Sequence, residues 1–327
     1  MQSWWMRFTA DGSELEQREV PAPQPGAGKL LVRLEAASLN RGEFVAAHGQ
    51  SGDKLEWKPM GGEGAGEVVA IGPDVQGFQL GDRVMGRCAG AFAQMAVMEA
   101  TEAMAVPPSL SWEAAAAVPL TFLVAFDMLV LQGRLRTGEW LLVNGVSSGV
   151  GLASLQLGKA LGARVIGTSG SEEKLSRLKA FGLDVAIRTR AADFAPRVMD
   201  VTGGHGADLV VNAVGGSVFA ENLRAMAFEG RLATVGYVDG QLHADLDLAA
   251  LHAKRLALFG VSNKLRSKAQ RAAAVPRFAA EVLPHVAAGR IEPLVDRVYP
   301  FEQLPQAKAA MESGAHVGKI VLRIPTG

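Results

Sequence analysis

Short apolar runs separated by turn residues dominate the first third of the chain. The amino-terminal segment MQSWWMRFTADGSE has the pattern of a strand rather than of a cleaved leader. Gly72-Pro73-Asp74 and Gly81-Asp82 are turn signals. Further strands are predicted at 30–34, 66–71, 83–85 and 92–98. This pattern, which continues to about residue 115, predicts a mostly antiparallel, barrel-like β domain.

From Pro119 the pattern changes to helices alternating with fully apolar strands. A strand, a helix and a second strand are predicted within 139–170. Helices follow at 172–181, 192–201 and 217–227, and strands at 184–187, 208–214, 231–235 and 256–261. Six strands alternating with helices predict an α/β fold with a doubly wound parallel sheet.

The carboxyl-terminal part returns to a mixed pattern. It predicts a long helix over 268–288, a strand at 294–299, a helix at 301–313 and a strand at 319–324. The last strand is expected to complete the first domain. The α/β region, residues 118–263, is then an insertion in a β domain formed by residues 1–117 plus 264–327.

The segment EWLLVNGVSSGVGLASLQLGKALGARVIGTSG, residues 139–170, carries the most specific chemistry. Leu141-Leu142-Val143 suits a strand that is covered on both faces. The glycine turn that follows would let a pyrophosphate approach the backbone at a helix N-terminus. The predicted dinucleotide-binding residues of this turn are Gly145, Ser147, Ser148, Gly149, Val150 and Gly151. The turn is a partial motif, because the usual G-x-G-x-x-G would place glycines at Val146 and Ser148.

The end of the second strand indicates which dinucleotide is bound. A site for NAD normally has Asp or Glu there, whereas this chain has Ser169 and Ser171, with Lys174 one helical turn later. Arg188, after the third strand, is a further candidate for the adenine ribose. These groups favour the 2′-phosphate of NADPH. Glu172 and Glu173 are the counter-evidence, because carboxylates that pointed inward would repel it.

Composition excludes several classes of function. Lys plus Arg and Asp plus Glu are balanced at 33 each, which gives no basic footprint for nucleic acid or an anionic membrane. The single cysteine, Cys88, excludes an intramolecular disulfide framework and a cysteine-rich zinc site. The most apolar segment, residues 114–131, contains Pro119 and Asp127 and is too short to span a bilayer. We therefore expect a soluble, cytoplasmic protein.

Several motifs in order give a more specific interpretation. They are Asn40-Arg41-Gly42-Glu43, GEGAGEV at 62–68, Gly77-Phe78, GDRV at 81–84, Ala115-Ala116-Ala117, Pro119-Leu120-Thr121, the turn at 143–151, Ser171-Glu172-Glu173-Lys174, and NAVGG at 212–216. Over nearly its whole length the chain resembles the zinc-independent quinone oxidoreductases of the medium-chain dehydrogenase/reductase superfamily, the group that includes zeta-crystallin. The resemblance implies a Rossmann domain inserted in a GroES-like β domain, and a homodimer formed through the sheet edge near 256–261.

Zinc is not expected in this chain. Zinc-dependent relatives carry a cysteine where this chain has Ser38–Asn40 and a histidine where it has Gly62. The histidines, at 48, 205, 243, 252, 285 and 316, have no ligand-type spacing. Without a Lewis acid, alcohol dehydrogenation loses its main catalytic group, whereas reduction of an electron-poor acceptor needs only the cofactor.

The resemblance also implies residues beside the nicotinamide. Asn40 would hydrogen-bond the carboxamide or an acceptor carbonyl, and Thr121 would fix the ring. Gly236 and Tyr237 follow the fifth strand of the parallel sheet, at the edge where such sheets bind ligands. For Glu63 we expect a role in turn geometry and not in chemistry.

One departure from the family concerns the proton donor. Members often have a tyrosine a few residues after the asparagine, and enoyl reductases of the superfamily use it as the donor. This chain has no tyrosine there, since its only tyrosines are Tyr237 and Tyr299. His48 is a candidate replacement, because histidine titrates near neutral pH.

The leading hypothesis is an NADPH-dependent reductase that transfers hydride to a quinone or a similar conjugated carbonyl without a metal. The first alternative is an NADPH-dependent alkenal or enone double-bond reductase. The second is a cofactor-binding protein with little turnover, which the missing tyrosine keeps open.

Overall fold

The structure is a computed structural model that describes residues 1–9, 12–44, 56–263 and 265–325. It divides into two compact units. The first contains Met1–Leu120, Val275–Leu283 and Pro293–Gly327, and the second contains Thr121–Ala274 and Pro284–Glu292. The domain bounds given above from the sequence stay predictions.

The strands, in chain order, are β1 (Gln2–Thr9), β2 (Gly12–Glu19), β3 (Lys29–Ser38), β4 (Lys58–Pro59), β5 (Glu63–Ile71), β6 (Arg83–Arg87), β7 (Met95–Glu99), β8 (Ala103–Ala105), β9 (Trp140–Asn144), β10 (Arg164–Ser169), β11 (Val185–Arg188), β12 (Ala207–Asn212), β13 (Met226–Thr234), β14 (Ala257–Gly260), β15 (Val295–Pro300) and β16 (Lys319–Arg323).

The α-helices are α1 (Trp112–Ala116), α2 (Pro119–Phe126), α3 (Gly149–Ala160), α4 (Glu172–Leu178), α5 (Ala195–Val201), α6 (Phe219–Ala225), α7 (Leu248–Ala253), α8 (Lys268–Ala272), α9 (Val275–Glu281), α10 (Leu283–Ala287) and α11 (Leu304–Glu312). A π-helical segment, Asp127–Gln132, continues α2.

The first unit contains two sheets. A seven-stranded sheet has the order β15-β16-β3-β5-β6-β8, with β7 also paired to β3, and a small sheet has the order β2-β1-β4. All these pairs are antiparallel except β15 with β16, which is parallel. The mostly antiparallel β domain predicted from the sequence is therefore confirmed. A core that includes Leu30, Leu34 and Phe92 packs against it, and Trp4 joins this core through an Nε1–H bond to the Phe301 carbonyl.

The second unit contains a six-stranded parallel sheet with the order β11-β10-β9-β12-β13-β14. The strand order places the first and fourth strands, β9 and β12, side by side at the centre. This is the arrangement of doubly wound dinucleotide-binding folds, so the predicted fold class is confirmed. Four residues of this sheet are completely buried: Leu142, Ile166, Val210 and Leu232. The continuous apolar runs predicted this burial, because such runs are typical of strands covered on both faces.

The prediction of a single long helix over 268–288 is wrong. The chain forms α8, α9 and α10 instead, with prolines at the second positions of α9 and α10, Pro276 and Pro284. A proline has no N–H to donate and clashes with the preceding turn, so it is tolerated only near a helix start. The apolar periodicity continues through all three helices, which is why it suggested one.

Helix bounds elsewhere are shorter than predicted. The predicted helix at 217–227 is a short 3₁₀ turn followed by α6, which ends at Ala225, because β13 already begins at Met226. The Lys254 ammonium donates to the carbonyls of Leu223, Arg224 and Met226 at this helix end. A cation is stabilised there by the helix dipole. In the part of the chain that the structure describes, no helix is long and apolar enough to cross a membrane.

Candidate functional site

The turn after β9 has the geometry of a phosphate-binding loop. Gly145 adopts a left-handed conformation, with φ of +71°, and α3 begins four residues later. The Ser148 hydroxyl donates to the Gly145 carbonyl at 2.9 Å and accepts the Gly151 N–H at 3.1 Å. Ser148 is therefore the N-cap of α3, and it ties the helix start to the glycine turn.

The structure explains both departures from the usual glycine pattern. Ser148 replaces a glycine because its hydroxyl caps the helix. Val146 replaces another because its side chain is completely buried against β10, where a Cβ on Gly167 would lie 2.7 Å from Val146 Cγ1. The glycine that the turn needs on steric grounds is Gly151, whose Cβ would lie 2.3 Å from the Gly145 carbonyl oxygen.

Two buried asparagines mark the centre of the sheet edge where the strands end. Asn144 of β9 and Asn212 of β12 are paired in register. Asn144 donates to Asn222 Oδ1 at 2.5 Å and accepts from the Thr168 hydroxyl at 3.0 Å. Asn212 holds the turn after β12 through Gly215. Ligands of doubly wound sheets bind at this switch point, so these asparagines, to which the sequence interpretation gave no role, shape the candidate site.

The elements at the end of β10 carry hydroxyl and cationic side chains. Ser169 Oγ accepts the Ser171 N–H at 3.3 Å, and Ser171 caps α4 by accepting the Lys174 N–H at 3.3 Å. Ser169 is in register with Arg188, which is exposed on β11. These hydroxyls, Lys174 and Arg188 belong to neighbouring elements at one edge of the sheet.

Arg190 is a further cation at this edge. A Cβ on Gly170 would lie 2.8 Å from both Cγ and Nε of Arg190, so the arginine side chain packs directly against the end of β10. Glu172 and Glu173 are exposed in the first turn of α4, where the helix dipole stabilises acidic groups. The donor set therefore suits a phosphate ester better than a pair of ribose hydroxyls.

The loop after β13 is fixed to the turn after β12. Asp239 accepts from the Ser217 N–H and hydroxyl at 2.9 and 2.5 Å and from the Gln241 N–H at 2.9 Å. Burial raises the pKa of the Asp239 carboxyl, but these hydrogen bonds outweigh it and hold that pKa below its ordinary value. Gly236 and Tyr237 lie at the start of this ordered loop, and 46% of Tyr237 is exposed.

The first unit contains a buried polar cluster around Glu63. Glu63 Oε1 accepts from the Ser38 hydroxyl at 2.6 Å, from Asn40 Nδ2 at 2.9 Å and from Lys319 Nζ at 2.9 Å. Its Oε2 accepts the Leu120 N–H at 2.6 Å. Glu63 is 0% exposed and opens β5, so the expected role in turn geometry is wrong: it is the acceptor at the centre of a buried ion pair.

Lys319 completes this cluster from the far end of the sequence. Besides Glu63, its ammonium donates to the Leu39 carbonyl at 2.9 Å and to Asn40 Oδ1 at 2.7 Å. Both polar atoms of the Asn40 amide therefore form hydrogen bonds, Nδ2 as a donor and Oδ1 as an acceptor. The sequence signal for Lys319 is a lysine at the first position of an apolar strand, since a lysine is almost never fully buried without a partner.

Glu43 is the second carboxyl group of the cluster. It accepts from the Asn40 N–H at 3.2 Å and from Asn40 Nδ2 at 3.3 Å. Burial raises the pKa of Glu43; Lys319 and the Asn40 hydrogen bonds oppose this, Glu63 adds to it, and the result is a pKa of about 7. The nearby Cys88 thiol has its pKa raised to about 12 by burial and by the two glutamates, so it remains a protonated thiol.

The remaining predicted residues have separate positions. Thr121 is buried in α2 of the second unit, whereas Asn40 belongs to the first unit. His48 lies outside the described residues. Among the described residues, no group of three or more His, Cys, Asp or Glu side chains is arranged to hold a metal ion.

Two domain families match the chain. Residues 26–108 match the alcohol dehydrogenase GroES-like domain, and residues 149–279 match the zinc-binding dehydrogenase family. One curated relative is a phenolphthiocerol/phthiocerol polyketide synthase protein of Mycobacterium tuberculosis, 33% identical over 95% of this chain but only 14% of its own length. The chain thus spans a small part of that protein. Acryloyl-coenzyme A reductase of Sulfurisphaera tokodaii is 28% identical over 95% of this chain and 96% of its own.

Solved structures match over the full length. Mycobacterial Rv1454c, in a complex with NADPH, is 30% identical with a TM-score of 0.87, and an NAD-dependent alcohol dehydrogenase is 32% identical with a TM-score of 0.85. A quinone oxidoreductase of Pseudomonas syringae pv. Tomato DC3000 is 28% identical with a TM-score of 0.85. Each match covers 99% of this chain and 100% of the other. The resemblance is therefore confirmed: the chain belongs to the medium-chain dehydrogenase/reductase superfamily, together with the quinone oxidoreductases.

Proposed function

We propose that the protein is an NADPH-dependent reductase that passes hydride from the nicotinamide to a quinone or a similar conjugated carbonyl without a metal. The observation that carries the proposal is the donor set at the end of β10, where Ser169, Ser171, Lys174, Arg188 and Arg190 belong to adjacent elements and β10 itself contributes no carboxylate. The NADPH complex of mycobacterial Rv1454c supports the same cofactor.

The proposed cofactor contacts involve elements of the second unit, together with Asn40, which the family resemblance adds from the first unit. The pyrophosphate would lie against the turn formed by Gly145, Ser147, Ser148, Gly149, Val150 and Gly151, at the N-terminus of α3. The 2′-phosphate would contact Ser169, Ser171, Lys174 and the arginines. The nicotinamide would lie beside Thr121 and Gly236-Tyr237, and Asn40 would hydrogen-bond its carboxamide or the acceptor carbonyl.

The Glu63 cluster supports reduction without a metal. The oxygens of Glu63 and Asn40, which would be the available hard ligands, already hold the Lys319 ammonium. A divalent cation placed there would be repelled by that charge at close range. Polarisation of an acceptor carbonyl would instead come from hydrogen-bond donors, which is sufficient for an electron-poor quinone.

The second candidate is an enone or alkenal double-bond reductase. The full-length relative acryloyl-coenzyme A reductase favours it, because the name of that relative denotes a conjugated thioester as substrate. Both candidates use the same hydride donor and the same polar groups, and they differ in the acceptor.

The experiment that separates them follows the loss of NADPH absorbance with a benzoquinone-type quinone and with a conjugated enal, and repeats both with NADH. Faster turnover of the quinone with NADPH supports the leading proposal. Faster turnover of the enal supports the double-bond reductase. Measurable NADPH binding with neither acceptor reduced would contradict both.

Lys174→Ala tests the phosphate site. We expect the variant to bind NADPH about 1–3 kcal/mol more weakly, the value of a hydrogen bond to a charged group, and to bind NADH almost unchanged. The measurement is titration of each cofactor by its fluorescence. Lys179→Ala is the matched control, since it removes the same charge from the other end of α4. Equal weakening for both cofactors would remove Lys174 from the phosphate site.

A homodimer through the edge of the parallel sheet is part of the proposal. β14 is an edge strand of that sheet, and the chain from 256 to 261 is the expected contact. Sedimentation should give twice the chain mass of 34.4 kDa at micromolar concentration, whereas a monomer would contradict this contact.

A further inference from the structure

We propose that Glu43 is the proton donor of the reaction, delivering its carboxyl proton to the acceptor as the acceptor is reduced. The inference rests on the proposed function. It assigns the step that, in the family's enoyl reductases, belongs to a tyrosine that this chain does not have.

The two carboxyl groups of the cluster have opposite surroundings. Glu63 is fully buried and accepts short hydrogen bonds on both oxygens, including one from an ammonium group. Those contacts satisfy both carboxylate oxygens of Glu63. Glu43 is less completely buried than Glu63, and the hydrogen bonds that it accepts from the described residues are long, at 3.2 and 3.3 Å, both from Asn40. When two carboxylates share a site, one of them holds the proton, and these contacts assign the proton to Glu43.

The position of the Glu43 carboxyl also depends on Gly62, which has no side chain. A Cβ on Gly62 would lie 2.7 Å from Glu43 Oε1, so the carboxyl group fills the space that the glycine leaves open. Asn40 connects it to the rest of the cluster, because the same Nδ2 group donates to both glutamates. The carboxyl therefore lies beside the amide that we propose to contact the nicotinamide or the acceptor carbonyl.

The charged and titratable groups around Glu43 are few among the described residues. Lys319 faces it from β16 and Glu63 from β5, and Cys88 lies beyond them as a neutral thiol. Arg41, on the same 3₁₀ turn, directs its guanidinium to the Met311 carbonyl at 3.3 Å. The resulting pKa of about 7 makes Glu43 an acid that is half protonated near neutral pH, which suits a general acid.

The proposed reduction balances with NADPH, the acceptor and the Glu43 proton, and it needs no other reagent. The acceptor gains two electrons and one hydrogen as hydride from NADPH, and it gains the second hydrogen as the proton that Glu43 releases. The acceptor's π bond is thereby broken and two bonds to hydrogen form. Glu43 is left as a carboxylate, stabilised by the Asn40 donors and by Lys319, and takes a proton back from water before the next turnover.

Other residues are weaker candidates for this role. Tyr299 Oη accepts a hydrogen bond from Arg297, which stabilises its oxygen but places it in β15 and outside the cluster. Tyr237 belongs to the second unit and is exposed. His48 is the remaining rival, and the test below includes it.

The test uses Glu43→Gln, which keeps the shape and the acceptor oxygen for the Asn40 N–H. First, ¹³C NMR of the glutamate carboxyls, without cofactor or acceptor, should show one group that titrates near pH 7 and is absent from the variant. Second, kcat/KM of the wild type should fall tenfold per pH unit above about 7, because the acid form is lost. The variant should be slower by about 100-fold or more and independent of pH across this range.

Controls separate this inference from the proposed function. Glu19→Gln makes the same change on the exposed face of β2 and should keep the wild-type rate and profile. Both variants should bind NADPH as the wild type does. A wild-type rate in Glu43→Gln, a Glu43 carboxyl that titrates below about pH 5, as unperturbed glutamates do, or an alkaline decrease abolished by His48→Gln instead would overturn the inference and leave the reductase intact. A wild type that reduces neither acceptor would overturn the proposed function itself.

Discussion

Lys319→Met is expected to lower the free energy of unfolding by about 3–5 kcal/mol, the cost of leaving a buried charge without its partner. The Lys319 side chain is 6% exposed and the Glu63 side chain is 0% exposed. Methionine preserves the length of the stem but offers no donor. Glu63, the Leu39 carbonyl and Asn40 Oδ1 would each lose a hydrogen bond in a region that water does not reach. Denaturant unfolding at neutral pH measures the loss.

Two further variants determine whether breaking the Lys319–Glu63 ion pair causes the predicted loss of stability. Glu63→Gln combined with Lys319→Met removes both charges, and we expect it to recover much of the lost stability, because a buried pair contributes little beyond what its separate members cost. Arg323→Met is the matched control on the same strand, since Arg323 pairs with Glu113 at the surface. It should change stability by less than about 1 kcal/mol. Equal losses for Lys319→Met and Arg323→Met would contradict the buried ion pair.

The same ion pair connects stability to the site. Glu63 opens β5, Lys319 opens β16, and Asn40 follows β3, so one set of hydrogen bonds joins three strands of the seven-stranded sheet. The N–H of Leu120, in the first turn of α2, donates to the same carboxylate. A cluster that is satisfied in this way holds the Asn40 amide in one orientation, because both Nδ2 hydrogens are donated within the cluster and Oδ1 accepts from Lys319.

The elements that the sequence predicts best are those with a strong local cause. Strands β9, β10 and β12 are buried on both faces over most of their length, and the glycine turn after β9 fixes where the first helix begins, so the centre of the parallel sheet follows from periodicity. The helices near 268–288 are predicted less well. Their apolar period is continuous, and the two prolines that divide them are tolerated at helix starts, so they do not indicate by themselves which residue ends each helix.

The residues of the candidate site also differ in how well the sequence predicts their positions. The residues of the glycine turn and of the end of β10 are close in sequence to the strands that carry them, so their position can be predicted. Glu63 and Lys319 are 256 positions apart, and they come together because β3 pairs with β16 on one side and with β5 on the other. Glu43 is three residues from Asn40, but its proton affinity depends on that distant pair. No local pattern contains this information.

Gly151→Ala is expected to abolish tight NADPH binding. The added Cβ would lie 2.3 Å from the Gly145 carbonyl oxygen and 2.8 Å from Val146 Cα, both backbone atoms that cannot rotate away. The start of α3 must therefore move off the turn, and the Ser148 cap must open. Losing two hydrogen bonds to phosphate, at about 1.5–3 kcal/mol each, corresponds to an affinity loss of about 100-fold or more. Fluorescence titration with NADPH measures it.

Gly158→Ala provides the matched control for this prediction. Gly158 lies in the same helix, two turns further on, and its Cβ would meet Leu141 Cδ2 at 2.7 Å, the far end of a side chain that can adjust. Both variants gain about 1 kcal/mol of helix propensity, so propensity cannot separate them. We expect Gly158→Ala to bind NADPH as the wild type does and Gly151→Ala to remain folded with a stability loss of about 1–3 kcal/mol, as overpacking produces. Wild-type affinity in Gly151→Ala would mean that the phosphate does not lie against this turn.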